Sequence, residues 1–323
     1  MDANFSGPNY TIGIEEELMI LDAESLELVN AVESLLEDQP DERVKPELME
    51  SVLEIATSPQ PDAAAAGAEL RALRARVAGA AAARGLRIGA AGTHPFAMWE
   101  QQRIVARPRY RELVDDLRFV ARQELLFGQH VHVGLDDREK AIHVANGMRV
   151  HLPVLLALSA NSPFWRADAT GLASTRTPIF RAFPRVGIPP TYDDWDDYAQ
   201  KIGFMVESGV IEDYTYLWYD VRPHPNLGTV EVRVMDAQTR VEHSLGLAAL
   251  IQAMVKELAE HFEAGRQLTR YPHQMVDENK WLAARHGLAG EIVDLPSNER
   301  VTTKALTLRL LERLTPHAQQ LGS

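Results

Sequence analysis

The chain has 323 residues, 46% of them apolar, which is enough to bury a sizeable core in one large domain or two close halves. Its 46 acidic residues against 33 basic ones give a formal net charge of -13, which argues against a protein that holds nucleic acid by neutralising phosphates. It has no cysteine, which excludes disulfides, thiolate metal sites and cysteine nucleophiles.

The opening MDANFSGPNY lacks the basic start and apolar run of a signal peptide, so a cytoplasmic protein is expected. Tyr10–Leu21 reads as a strand, and Glu47–Thr57 as a second. Asp62–Arg84 is rich in Ala, Leu and Arg, stops at Gly85 and reads as a helix. A short strand at Leu86–Ala91 leads into the loop GTHPF, followed by a helix over Arg109–Phe127. Gln129–Leu135 returns to strand, with Asp136 or Asp137 placed to cap the next helix. The longest apolar run, around Val150–Ala160, is broken by His151 and Pro153 and is too short to span a bilayer. Residues 161–192 are rich in Pro, Arg, Ser and Thr without a period, as functional loops often are. A helix at Asp193–Ser208 precedes a hairpin of Asp213–Val221 with Thr229–Asp236, and the chain from Glu242 reads as mostly helical. No βαβ rhythm emerges, so the expected fold class is α+β with a mainly antiparallel sheet.

Side chains alternate between the two faces of a strand, so parity tells which residues meet. Glu15 and Glu17 lie opposite Ile12, Ile14, Leu18 and Ile20, an apolar face interrupted by Glu16. By the same count Glu50 and Glu54 share a face, as do His130 with His132 and Glu231 with Arg233. Singly these are ordinary: a solvated acidic face, a structural histidine pair, an exposed ion pair worth under about 1 kcal/mol. Paired in one sheet, they crowd carboxylates that cannot all stay ionised without compensation. Carboxylates and imidazole without thiolate suit Mg²⁺ or Mn²⁺ better than Zn²⁺.

GIEEE (Gly13–Glu17), ESVLEIAT (Glu50–Thr57), GTHPF, FGQHVHVG (Phe127–Gly134), ASTR (Ala173–Arg176) and WYDVRPHPNLGTVEVRVMD (Trp218–Asp236) follow in order. Together they resemble the type 2 glutamate–cysteine ligases, also called YbdK-like carboxylate–amine ligases, and more distantly glutamine synthetase. The resemblance implies a fold of the glutamine synthetase/guanidino kinase kind: a curved, mainly antiparallel sheet with helices on its outer face. ATP and Mg²⁺ (or Mn²⁺) would sit on the other side. It implies one ligase domain over residues 1–323, ending before further C-terminal helices usual in the family, and a homodimer.

By the same resemblance, Glu15, Glu17, Glu50, Glu54, His130 and Glu231 hold the metal ions and His132 lines the substrate pocket. Arg176, Arg222 and Arg233 clamp phosphate or substrate carboxylate, with Arg185 beside them in the binding set. Arg176, Arg233 and Glu54 carry catalysis. Arg181 and Arg185 read equally as an exposed basic loop, and His94 as a turn residue. The implied reaction moves the γ-phosphate of ATP to a glutamate-like carboxylate. A cysteine-like amine then attacks the acyl phosphate and expels phosphate. Residues 161–192 would cover the intermediate. The alternatives are a guanidino-kinase-like phosphotransferase, a metal-dependent hydrolase using His130 and His132, and a non-catalytic nucleotide-binding protein.

Overall fold

The computed structural model describes residues 3–37 and 41–323. Seven strands form the main sheet: β1 (Ile12–Asp22), β2 (Val44–Pro46), β3 (Val52–Ala56), β4 (Leu86–Gly89), β5 (Gly128–Gly134), β6 (Val221–His224) and β7 (Thr229–Asp236). They run β6-β7-β5-β1-β3-β2, and β4 pairs with the far end of β1. Every pairing among them is antiparallel. The first strand is therefore central, with β3 along one edge and β5, then β4, along the other.

Alternation in the sequence becomes two chemically different faces. Ile12, Ile14, Leu18, Ile20, Val131, Val133, Val230 and Val232 are buried in the main core. Two long helices cover this face. The first, Ala63–Ala82, begins where the Asp62 carboxylate accepts the Ala65 N–H. The second is Val241–Glu263. The two approach so closely at Gly67 that a Cβ there would lie 2.5 Å from the Leu245 side chain. Glu16, the polar residue on the apolar face, is fully buried and held by Arg74 at 2.7 Å. Arg74 also donates to the carbonyls of Gln238 and Thr239.

Several elements depart from the sequence reading. The helix expected over Arg109–Phe127 is two pieces, Pro108–Leu117 and Phe119–Arg122, broken at Arg118 with φ +51°. The strand expected over Glu47–Thr57 starts only at Val52, because residues 49–52 turn and the Val52 N–H donates to the Met49 carbonyl. Of Asp213–Val221, residues 214–216 form a helical turn, and β6 begins at Val221. The helical C-terminal region also contains a hairpin, Glu291–Asp294 with Glu299–Thr302, seated on the helix His273–His286 through two Asn279–Val293 hydrogen bonds. The helix after β5 is capped by Asp137. The segment 138–159, helical and apolar enough on average to cross a membrane, is 72% buried inside the fold.

Candidate active site

Opposite the helices, the sheet opens into a cavity of about 290 Å³ lined by Glu15, Glu17, Glu47, Glu54, Glu124 and Glu231, with His130, His132, His224, Arg222 and Arg233. Register explains the convergence: Glu17 faces Glu54, Glu15 faces His130, His132 faces Glu231, and Glu231 faces Arg222 across neighbouring strands. The pattern shifts between Val232 and Met235, a bulge that leaves both of these residues in the core while Arg233 reaches into the site.

One end of the cavity is a network of opposite charges. Arg222 meets Glu231 at 2.6 Å and donates to the carbonyls of Thr215 and Leu217. Arg233 pairs with the same Glu231 and lies 3.4 Å from His130 Nδ1. Burial alone would raise the Glu231 carboxyl, but Arg222 and Arg233 hold it well below the usual range. Glu15 is held low against the same burial effect by His132 and by hydrogen bonds with His130 and His132. His132 is raised despite burial, because Glu15 and Glu231 stand beside it. Burial and Arg233 lower His130.

The other end has too much negative charge. Burial and the neighbouring Glu17 push Glu47 up to about 7, and burial with Glu17 and Glu47 pushes Glu124 up to about 8. Glu54 is raised well above its ordinary value by burial and by Glu15 and Glu47. Lys45, 3.8 Å from Glu54 and half exposed, offers little compensation.

These residues fit divalent cations. Glu15, His132 and Glu231 bring one ligand atom each to within 4.8 Å of one another. His130 Nε2 is buried without a hydrogen-bond partner, and His132 Nε2 stands 3.5 Å from the Glu15 carboxylate and 3.9 Å from that of Glu231. Crowded carboxyls raised by their own neighbours would be relieved by a bound cation, and a donor set of oxygen and imidazole matches Mg²⁺ or Mn²⁺.

Most residues singled out in the sequence gather here, but Glu50, Arg185, Arg181, Arg176 and His94 do not line the cavity. Glu50 lies in the turn before β3, where it pairs with Arg103 at 2.7 Å outside the cavity. The turn breaks the alternation that grouped it with Glu54. Arg185 stands behind the wall, over the Trp218 ring and donating to the Tyr216 carbonyl at 3.0 Å. Arg181 is exposed and paired with Asp277. Arg176 is buried beneath the cavity, and a Cβ at Gly128 would fall 2.5 Å from its guanidinium, so a larger residue there would displace it. Glu17 accepts the Gly128 N–H from the other side. His94 is a turn residue: its Nδ1 accepts the Ala97 N–H and its Nε2 contacts the Leu26 carbonyl.

Glu47 and Glu124 are site residues that the motifs did not reveal. Glu47 follows β2 on the face of Lys45. Glu124 follows the short helix Phe119–Arg122 and shares parity with His130 and His132, a signal hidden while residues 109–127 read as one helix. Arg109 and Tyr110 close the cavity from the helix Pro108–Leu117, and Arg109 bridges to Thr215 at 2.9 Å.

An antiparallel sheet presenting carboxylates, imidazoles and arginines in one cavity is the equipment of an ATP-dependent carbon–nitrogen ligase, and the comparisons with known proteins agree. The sequence profile of glutamate–cysteine ligase family 2 matches residues 11–323, and the chain belongs to that family. It is 43% identical over 316 residues to a Rubrobacter xylanophilus protein provisionally named glutamate–cysteine ligase 2-1, spanning 97% of this chain and 84% of that one. A Sorangium cellulosum protein provisionally named glutamate–cysteine ligase 2 is also 43% identical, over 97% of this chain and 85% of its own. Among solved structures, the glutamate–cysteine ligase of Francisella tularensis in complex with AMP shares the fold. Its TM-score is 0.72 at 15% identity, covering 99% of this chain and 80% of that one. A bifunctional glutathione synthetase from Pasteurella multocida follows at TM-score 0.65 and 14% identity, covering 98% and 46%.

Proposed function

We propose that this ATP-dependent carboxylate–amine ligase joins a glutamate-like acid to an amino acid such as cysteine through an acyl phosphate, using Mg²⁺ or Mn²⁺. The observation that carries the reading is the gathering of six glutamates with His130, His132, Arg222 and Arg233 in one cavity, His130 Nε2 being buried there without a partner. Glu15, His132 and Glu231 would hold one cation. Glu17, Glu47, Glu54 and Glu124 would hold others, with His130 between the two groups. Bound there, the cations would supply positive charge to the phosphates of ATP.

The chain's own part is positioning and charge. In the first step an oxygen of the acid forms a bond to the γ-phosphorus while the bond to the bridging oxygen breaks, and ADP leaves. Arg233 is fixed by Glu231 on one side and presents a buried Nε without a partner, so it has donor capacity left for the transferring group. Arg222 spends its donors on Glu231 and two carbonyls, which assigns it to the wall that shapes the site. Arg176, below Gly128, supplies positive charge from beneath. In the second step the amine nitrogen attacks the carbonyl carbon, the carbon–oxygen bond to phosphate breaks, and a carboxylate of the crowded end takes the proton lost by nitrogen. We assign that role to Glu54, which lines the crowded end.

The test is phosphate release from Mg·ATP with a panel of acids and amines, wild type beside Glu54→Gln. Release that needs both an acid and an amine, and that Glu54→Gln loses, is the expected result. ATP hydrolysis indifferent to the amine, or phosphate transferred to a guanidine, would replace the ligase reading with one of the alternatives.

A further inference from the structure

Arg233 sits on a bulge, where backbone pairing is weakest, so something other than regular ladder bonding has to fix it. Its backbone N–H donates to the Asp220 carbonyl at 2.7 Å. The Asp220 N–H is itself bound to the Gly187 carbonyl at 2.9 Å, and its carboxylate meets Lys280 Nζ at 2.6 Å. Both members of this ion pair are buried, Asp220 at 5% exposure and Lys280 at 8%. A buried pair is a poor source of stability, because desolvation offsets most of the attraction; such pairs are better at fixing one arrangement among several.

Lys280 belongs to the helix His273–His286, outside the sheet and far along the chain from every motif of the site. The same helix also anchors the segment that carries Arg176. Its Ala284 carbonyl accepts the N–H groups of Ala173 at 2.9 Å and Ser174 at 2.8 Å. One helix thus reaches the backbone beside both Arg233 and Arg176.

We infer that Lys280 is a positioning residue for Arg233, acting through Asp220; this rests on the ligase reading for the role of Arg233, but not for the contact itself. Lys280 touches neither the cavity nor any reacting group. It neutralises and holds the Asp220 side chain, which keeps the Asp220 carbonyl where the Arg233 N–H needs it. The guanidinium is then aimed by a backbone that cannot slide along the bulge.

The test uses the full chain in three variants. Lys280→Met leaves the Asp220 carboxylate buried and unpaired. Lys280→Met with Asp220→Asn removes the buried charge as well, so folding recovers while the anchor does not. Lys280→Arg keeps the cation. Amide exchange across residues 230–236, read by mass spectrometry, is expected to quicken on the order of tenfold in the first two variants as the bulge opens locally. Their kcat for acid- and amine-dependent phosphate release is expected to fall on the order of 100-fold, as small misplacements do, while KM for ATP stays within about threefold. Lys280→Arg is expected to retain both properties. A double variant with wild-type kcat, or with unchanged exchange over 230–236, reduces the pair to packing and overturns the inference. A wild-type protein that releases no phosphate with any acid–amine pair fails the ligase reading instead, and the exchange data then decide the positioning role alone.

Discussion

Three consecutive glutamates in GIEEE have three different environments, and the difference is set by which way each side chain leaves β1. Glu15 and Glu17 enter the cavity, while Glu16 enters the core and is neutralised by Arg74. Removing one partner of a buried pair leaves the other charged and unsolvated, so Arg74→Met should cost about 3–5 kcal/mol of stability. Chemical denaturation would measure that loss. Turnover per folded molecule should hardly change, since the pair lies across the sheet from the chemistry; a specific loss of kcat would contradict this division of faces.

Glu47 and Glu50 make the complementary comparison. Glu50→Gln removes half of a surface pair with the 67% exposed Arg103 and should leave kcat within about twofold. Glu47→Gln removes a carboxylate from the crowded end and should weaken metal affinity or activity about 10- to 100-fold. Steady-state kinetics over a Mg²⁺ titration separates them, and equal effects would return Glu50 to the site.

Under the proposed metal binding, protons and cations compete for the same carboxyls, which fixes a pH dependence. A carboxyl raised in the folded state, such as Glu47 at about 7 or Glu124 at about 8, binds a proton that the unfolded chain has already lost. Its stabilising contribution is present at low pH and is lost as pH rises through the folded value. His132, also raised, has the same sign. Histidines lowered by burial, such as His130, His151 and His224, oppose it only below their ordinary value near 6.5. Glu15 and Glu231, held low, act only below the ordinary carboxylate value. Between about pH 6.5 and 8, therefore, the metal-free protein should lose Tm as pH rises. Mg²⁺ should restore more Tm at pH 8 than at pH 6.5, because it binds the ionised form. Scanning calorimetry at the two pH values with and without Mg²⁺ checks this; equal Mg²⁺ shifts would mean that the raised carboxyls are not its ligands.

At the scale of elements, strands were legible and turns were not. Alternation over Ile12–Asp22, Gly128–Gly134 and Thr229–Asp236 states outright which side chains share a face, and the structure keeps Glu15, Glu17, His130, His132 and Glu231 together as parity requires. Parity fails wherever the backbone turns. The turn before Val52 takes Glu50 out of the site, and the break at Arg118 frees residues 123–127 from helix, so that Glu124 comes in. Neither event has a local marker: Arg118 occupies positive φ without being glycine or asparagine. The stretch 161–192 was legible as irregular, but its short hairpin Phe164–Trp165 with Asp168–Ala169, its helix Arg176–Phe180 and its anchoring were not. Its hold on β7 comes from Asp236, whose carboxylate accepts Ser162 at 2.6 Å and Ser174 at 2.9 Å, contacts between residues more than sixty positions apart.

At the scale of the molecule, the order of the strands in space is not their order in sequence. The central strand is the first to be made, and although β3 follows soon after, other partners arrive late: Glu15 meets His130 across 115 residues, and Glu16 meets Ser244 across 228. Contacts of such long range are slow to form, since loop closure precedes any reward. During synthesis the chain emerges N-terminus first, so β1 carries its glutamates into a half-built sheet whose inner edge stays open until β5 appears. The edge of β5 in turn remains unpaired until β7 is complete. A nascent chain that has not yet reached β7 therefore holds five of the six glutamates of the cavity but neither Glu231 nor Arg233, and the cavity is complete only once this strand has paired.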